Sequence, residues 1–152
     1  MIRCCHATEE HIPGILPLMG QLGYPTNLDD LKLRFQRFME QKGTSIVVAL
    51  DHDTVVAWIA WSRSWFFVDD LWGYRIEGLV VDETYRGQGI GKKLMHFMET
   101  EIMNDGPCEI ELTSYLSRAK DGTHAFYRFL GYHNDGPMEM LYLRKKLEWK
   151  SP

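Results

Sequence analysis

The sequence contains few cysteines and no long apolar run. Cys4, Cys5 and Cys108 are odd in number and fit no metal-binding spacing, so reduced thiols in a cytosolic chain explain them best. Residues 1–11 lack the apolar centre of a signal peptide. No stretch approaches the roughly 20 apolar residues that a membrane helix needs. We therefore expect a cytoplasmic protein that has no membrane partner.

The sequence also lacks a basic excess. It has 17 Lys and Arg against 21 Asp and Glu, which gives a net charge of -4. Such a chain is poorly suited to neutralising nucleic-acid phosphates, whereas its acidic surface attracts cationic partners. Its histidines and carboxylates show no metal-ligand spacing. We therefore expect neither a nucleic-acid partner nor a bound metal.

The patterns that are present predict one α/β domain. The chain has 152 residues, of which 45% are hydrophobic and 25% charged, and this suits a single domain spanning 1–152 with its own core. A helix capped by Thr8 and a second opened by Thr26, with Asp29 completing a capping box, precede the change to strand periodicity. Further helices are predicted at 89–104 and 121–130, and strands at 2–7, 45–50, 54–67, 73–82, 108–114 and 138–147. Hairpin signals followed by a strand–helix–strand passage predict a mixed sheet with helices on both faces.

Three glycines lie where the third predicted helix begins. In YRGQGIGKKLMHFMETEI, residues 85–102, the apolar positions 90, 94, 97, 98 and 102 form a buried helical stripe. Gly89 and Gly91 both fall in its first turn, although a glycine inside a helix costs about 1 kcal/mol relative to alanine. Bare backbone at a helix N-terminus lets an anion approach its unpaired N–H groups. Spacing alone leaves a phosphate cradle and a plain flexible turn about equally favoured.

Two common phosphate-binding motifs do not fit these glycines. The dinucleotide fingerprint G-x-G-x-x-G would need a third glycine at Lys92. The Walker A motif would need a glycine at Arg86 and a Ser or Thr at Lys93. An anion that binds at these glycines would therefore not be held by either of these two motifs.

Two sequence blocks resemble the GNAT superfamily of N-acetyltransferases. Arg86-Gly87-Gln88-Gly89-Ile90-Gly91 follows a predicted strand and is similar to the family's acyl-CoA-binding signature, R-x-x-G-x-G. THAFYRFLGYH, residues 123–133, resembles the family's A-x-x-F-Y-x-x-x-G-[FY] pattern. The resemblance extends over the whole chain. It departs at 117–121, where many members carry an Asn that contacts the cofactor, and this leaves open which residue makes that contact.

The resemblance implies a fold and a reaction. The fold would be a mostly antiparallel central sheet with one splayed parallel strand pair, 74–82 and 108–114. The chain would move the acetyl group of acetyl-CoA to a primary amine, by direct attack in a ternary complex. The cofactor's pyrophosphate would bind backbone N–H groups of 86–91, its pantetheine arm would bind the main chain of Leu79 and Val81, and Lys92 would reach a phosphate.

The reaction implies two catalytic groups. A primary amine is mostly protonated at pH 7, so a base must take its proton. Glu77 is the candidate base, expected to be partly buried and on the same strand face as Leu79. An ion pair with Arg75 or Arg63 is the structural alternative, and some members of the family use only water as the base. Tyr127 matches the family's general-acid tyrosine, and we favour that role over core packing, which the apolar residues 126, 129 and 130 can supply.

The acceptor site is predicted less sharply. Trp65, Asp69, Asp70 and Tyr74 combine aromatic rings with carboxylates, which suits a cationic amine, although a dimer contact or a solvated turn is equally favoured. A small cationic amine is the first substrate hypothesis, and a protein N-terminus or lysine is the second. A non-catalytic acyl-CoA-binding module is a further alternative, from a different class of function, because a fold does not determine a function. A homodimer is left open as well.

Overall fold

The computed structural model describes residues 1–135 and 142–147. It divides into two compact units, Met1–Thr113 and Ser114–Pro152. Within the described residues, the first unit carries the sheet and three α-helices, and the second carries one α-helix. The prediction of a single domain over 1–152 stays a prediction, and each unit is described by itself below.

The first unit is built on a five-stranded sheet. Its strands lie side by side in the order in which they occur in the chain, with antiparallel pairing among the first four and a parallel pair formed by the last two. This confirms the predicted mixed, mostly antiparallel sheet. The strands are β1 (Ile2–His6), β2 (Ser45–Asp51), β3 (Thr54–Trp65), β4 (Trp72–Val81) and β5 (Cys108–Glu111). The helices of this unit are α1 (Ile12–Leu22), α2 (Leu28–Met39) and α3 (Ile90–Ile102), and the second unit holds α4 (Thr123–Phe129).

Helices cover both faces of the sheet. Alternate residues of each strand point to opposite sides, so apolar side chains on both faces need to be buried. On one face the buried side chains of α1 and α2 pack against Val48, Trp58 and Val80. On the other face α3 contributes a fully buried row that includes Leu94 and Met98. Among the described residues, no helix combines the length and the apolar character that crossing a membrane requires.

Several element boundaries differ from the predicted ones. The second helix is capped by Asn27, whose side-chain oxygen accepts the backbone N–H of Asp30 at 2.9 Å, so the predicted capping box of Thr26 and Asp29 is wrong by one residue. Asn is a stronger N-cap than Thr, and the sequence offers both side by side. The strand predicted at 108–114 ends at Glu111. Of the strand predicted at 138–147, residues 138–141 lie outside the described residues, and 142–147 form neither helix nor strand.

Candidate active site

The parallel strand pair stops halfway along β4. The last pair in its register joins Arg75 to Glu111, whereas β4 continues to Val81. Within residues 1–135 and 142–147, no strand pairs with 76–81 on the β5 side of β4. Backbone groups on that side of the strand are therefore available to a ligand. Leu79 and Val81, for which the family resemblance implied contacts to pantetheine, lie in this stretch.

The glycine-rich loop follows directly and leads into α3. Gly87 and Gly89 both have φ of +77°, a left-handed conformation that glycine adopts without strain. Apart from the neighbouring residues in the chain, no heavy atom lies within 4 Å of the position that a Cβ would occupy at either glycine. Gly89 is the N-cap of α3, and the first bond of that helix runs from the Lys93 N–H to the Gly89 carbonyl at 3.0 Å. The N–H groups of residues 90–92 therefore precede the intrahelical ladder.

Two positive side chains at this loop, Arg86 and Lys93, donate hydrogen bonds to backbone carbonyls of the sheet. Arg86 donates from Nε to the Val81 carbonyl at 3.1 Å, which ties the loop back to the end of β4. The Lys93 ammonium donates to the Ile2 carbonyl on β1. Lys92 and Gln88 are exposed at the surface of the first turn. The backbone N–H groups that precede the helical ladder, more than Arg86 and Lys93, are therefore the groups that an anion could reach at this loop.

The turn before the glycines is fixed from α1. Gln21 donates from Nε2 to Asp82 at 3.0 Å and accepts the Glu83 N–H at 2.9 Å. Hydrogen bonds from Thr84 are the main cause that lowers the pKa of Asp82. Sequence reasoning missed Gln21, because its partners are about 60 residues away along the chain and no local pattern marks it.

A β-bulge in β4 sets the direction of Glu77. The register pairs Ala60 with Gly78 and then Trp61 with Ile76, which leaves Glu77 as the extra residue of β4. Glu77 lines a cavity with Trp58 and Ala60, on the face where α1 and α2 pack. Val80 packs on that same face, so Leu79, its neighbour, points to the other one. The expectation that Glu77 shares a face with Leu79 is therefore wrong, because the bulge breaks the two-residue period.

The carboxylate of Glu77 is exposed and hydrogen-bonded. Ser62 on β3 donates from Oγ to Glu77 Oε1 at 2.6 Å. Its exposure contradicts the expected partial burial. The arginines proposed as alternative partners form ion pairs elsewhere, Arg75 with Glu111 at 3.1 Å and Arg63 with Asp105 at 2.9 Å.

Glu77 lies at the edge of an apolar cavity between the sheet and the first two helices. The cavity has a volume of about 140 Å³. Its polar lining side chains are those of Glu77 and Arg34, both of them exposed. Buried or half-buried apolar side chains form the rest of the wall: Ile12, Ile15, Met19, Leu31, Phe35, Phe38, Ile46, Trp58 and Ala60. Sequence reasoning did not find this cavity, since the same residues form ordinary helical and strand stripes.

The structure separates the four residues predicted to hold the amine. Tyr74 is buried and donates its phenol to Asp105, and burial together with this hydrogen bond raises its pKa to about 12. The same bond is the main cause that lowers the pKa of Asp105. Trp65 is 54% exposed and stacks edge-to-face on Trp72, while residues 69 and 70, both Asp, lie exposed in the turn that follows β3.

The second unit carries Tyr127 on α4. Its ring is half-buried and lies edge-to-face with Phe126 at 5.1 Å and with Tyr132 at 6.1 Å. Burial raises the pKa of the Tyr127 phenol, and the charge of Arg118 offsets part of that rise. Phe129 is 76% exposed, so its expected role in core packing is wrong.

No group of three or more His, Cys, Asp or Glu side chains that could hold a metal occurs in residues 1–135 and 142–147.

Comparison with known proteins gives a family match. Residues 16–132 match the model of the acetyltransferase (GNAT) family. A curated relative, GCN5-related N-acetyltransferase 1, chloroplastic, from Arabidopsis thaliana, is 28% identical over 131 residues, which cover 79% of this chain and 64% of that protein. The chain thus spans less than two thirds of that relative's length.

Solved structures share the fold. The apo aminoglycoside 6'-N-acetyltransferase AAC(6')-IG from Acinetobacter haemolyticus has a TM-score of 0.77 at 18% identity, covering 96% of this chain and 99% of its own. Glucosamine-6-phosphate N-acetyltransferase from Arabidopsis thaliana has a TM-score of 0.75 at 19% identity, covering 95% of this chain and 99% of its own. At this level of identity the similarities show the fold alone.

Proposed function

The chain belongs to the acetyltransferase (GNAT) family, and on that premise we propose that it transfers the acetyl group of acetyl-CoA to the primary amine of a small molecule. The observation that carries the proposal is the junction of β4 and α3. There, a stretch of strand that pairs with β3 but, among the described residues, has no partner on its β5 side is followed at once by two left-handed glycines and the open start of a helix.

The residues at this junction fit the donor. Open space beside Gly87 and Gly89 allows a pyrophosphate to reach the first N–H groups of α3, and the helix dipole favours its charge. Arg86, Gln88 and Lys92 belong to the same loop and first helical turn, and they would contribute to binding the phosphates. The main chain of Leu79 and Val81 would bind the pantetheine arm, and the Val81 N–H would stabilise the oxygen of the thioester carbonyl.

The chemistry needs two proton transfers. Bound acetyl-CoA supplies the acetyl group as a thioester. Glu77 takes one proton from the substrate ammonium, and the amine nitrogen then forms the C–N bond as the C–S bond breaks. Tyr127 donates its phenolic proton to the departing sulfur and regains a proton from the nitrogen, so that the products are an amide, CoA as a thiol and one released proton. Both residues lie within the segment 16–132 that matches the family.

A small amine is favoured over a protein substrate because both structural neighbours named above are, by their names, enzymes of small-molecule amines. A protein N-terminus or lysine remains the second candidate, and a non-catalytic acyl-CoA-binding module the third. A cytoplasmic location and a homodimer stay predictions.

Thermal unfolding with acetyl-CoA, CoA, NADPH and ATP in parallel tests donor binding. A ligand that binds only the folded state, at 100 times its Kd, adds about 2.7 kcal/mol of stability. We expect acetyl-CoA and CoA to raise Tm and NADPH to leave it unchanged. If neither CoA species raises Tm, the acetyl-CoA proposal is wrong.

Release of CoA thiol in the presence of amines then separates an enzyme from a binding module. Glu77→Gln should lower kcat by about 10²-fold or more and leave the affinity for acetyl-CoA unchanged. Glu10→Gln, an exposed change on the short turn before α1, is the matched control. Full turnover in Glu77→Gln would remove Glu77 as the base and leave water in that role.

A further inference from the structure

We propose that the acceptor is a monoamine carrying one apolar group about the size of a benzene ring, and that this group enters the cavity behind Glu77. The inference rests on the proposed function and narrows its substrate class. Among the small cationic amines favoured by the sequence, it selects those that have a single positive charge.

The size of the cavity sets the size of the group. Its volume of about 140 Å³ is close to that of an apolar protein cavity of roughly 150 Å³ that binds benzene. Apart from Glu77 and Arg34, its walls are aliphatic and aromatic, and Ile12, Ile15 and Trp58 among them are buried. Such a cavity accepts a phenyl or a branched alkyl group, whereas several sugar hydroxyls would find few partners beyond the buried indole N–H of Trp58, which has no hydrogen-bond partner among the described residues.

The bulge in β4 connects this cavity to the chemistry. Because Glu77 is the extra residue, its carboxylate turns toward the face of α1 and α2 and lines the cavity. The hydrogen bond from Ser62 fixes one of its oxygens. An amine whose apolar group fills the cavity would therefore place its nitrogen beside the carboxylate that takes its proton.

The charges at the cavity favour one ammonium group. Glu77 attracts a cation, whereas Arg34, also exposed and lining the cavity, repels one. The Arg34 guanidinium also lies 3.4 Å from Thr26 Oγ1, which holds it near the loop between α1 and α2. A polyamine or aminoglycoside would bring several ammonium groups close to one carboxylate and one guanidinium. Its additional charges would therefore add little to the binding free energy.

The experiment measures kcat/KM by CoA release for 2-phenylethylamine, ethanolamine and spermidine. We expect 2-phenylethylamine to exceed both of the others by about 10-fold or more, since it alone carries an apolar group that the cavity can bury. Equal or better use of spermidine or ethanolamine overturns the inference. A tripeptide with N-terminal Phe that surpasses 2-phenylethylamine also overturns it and assigns the cavity to a peptide's first side chain.

Two variants change the cavity in opposite directions. Ala60→Leu should fill it and lower kcat/KM for 2-phenylethylamine about 10-fold or more, with little effect on ethanolamine. Phe38→Ala should enlarge it and shift the preference toward a naphthyl-substituted amine. Leu33→Ala is the matched control, because Leu33 is 46% exposed on α2 and does not line the cavity. A Tm rise with acetyl-CoA in each variant shows that it is folded.

A direct binding measurement keeps the two proposals apart. Binding of 2-phenylethylamine to the full chain saturated with CoA is followed by the broadening of the ligand's own NMR signals. If no amine is turned over, the transferase proposal fails. If 2-phenylethylamine nevertheless binds the unchanged protein and Leu33→Ala but does not bind Ala60→Leu, the cavity is still upheld as an amine site. If 2-phenylethylamine does not bind, or binds Ala60→Leu equally well, the inference is wrong whatever the turnover.

Discussion

At the scale of single residues, burial decides how Tyr127 can act. A phenol that loses contact with water holds its proton more tightly, and this raises the pKa of Tyr127 above its ordinary value of 10. A general acid must be protonated when it acts, so the raised pKa widens the pH range in which Tyr127 serves. The proposed role therefore predicts a kcat that persists at alkaline pH.

We expect Tyr127→Phe to lower kcat by about 10²-fold or more, because the phenyl ring keeps the packing and removes only the acidic proton. In the unchanged protein, the alkaline loss of kcat should lie above pH 10, and the variant should lack that limb. Initial rates of CoA release from pH 7 to 11 measure both effects.

Tyr142→Phe is the control for this substitution, since Tyr142 is an exposed tyrosine in the same unit. The acid role is refuted if Tyr127→Phe turns over at the unchanged rate, or if acetyl-CoA affinity falls in proportion to kcat. The latter would mean that the residue binds the donor without donating a proton.

At the scale of elements, the start of α3 must satisfy two requirements at one position. Gly89 ends the loop in a left-handed conformation and also caps the helix whose first N–H groups face the proposed pyrophosphate. An L-residue in that conformation costs about 1–2 kcal/mol. The glycine is therefore needed for the backbone even where the space around it is open.

We expect Gly89→Ala to destabilise the protein by about 1 kcal/mol and to weaken acetyl-CoA binding modestly, because the loop shifts to relieve its strain. Gly89→Asp should weaken binding much further, since its carboxylate faces the pyrophosphate. Urea unfolding and calorimetric titration with acetyl-CoA measure the two quantities separately.

Gly20→Ala provides the comparison, because Gly20 lies exposed inside α1 and has no atom near its open side. It should stabilise the protein by up to about 1 kcal/mol and leave binding unchanged. Equal affinity for acetyl-CoA in Gly89→Asp and Gly20→Ala would show that the anion does not bind at this helix start.

Elements and their order were predictable from the sequence, whereas the directions of particular side chains were not. The stripe of α3 and the patterns of β1 to β5 depend on local periods, and the structure has these elements within a few residues of their predicted bounds, whereas residues 142–147 of the predicted last strand form no strand. The side chain of Glu77 points where it does because β4 has one extra residue opposite β3. A two-residue alternation in the sequence does not reveal such a bulge. The sequence grouped Tyr74 with the aromatic and acidic residues of 65–70 because they are close to it in the chain. Its hydrogen-bond partner in the structure, Asp105, is 31 residues away and could not be found from a local pattern.

At the scale of the whole molecule, a polar network joins three parts of the first unit. Tyr74 on β4 donates to Asp105 in the turn after α3, and Arg63 on β3 forms an ion pair with the same carboxylate at 2.9 Å. The Arg63 guanidinium also lies 4.2 Å from the centre of the Trp72 ring. The segment between α3 and β5 is thus held to two strands by side chains rather than by sheet pairing, so loss of this network should be felt in global unfolding.

We expect Tyr74→Phe to lower the free energy of unfolding by about 1 kcal/mol at pH 7, the value of an ordinary hydrogen bond and less than that of most bonds to a charged group, because the carboxylate is partly hydrated. The pKa of Asp105 is lowered in the folded state, so its contribution is present above its unfolded value and is lost as pH falls through the folded one. The pKa of Tyr74 is raised to about 12, so its contribution is present below pH 10 and is lost as pH rises through 12. Urea unfolding of both proteins at several pH values should therefore show the largest difference near neutrality and a smaller one at pH 3, whereas a difference that does not depend on pH would mean that Tyr74 contributes only by packing.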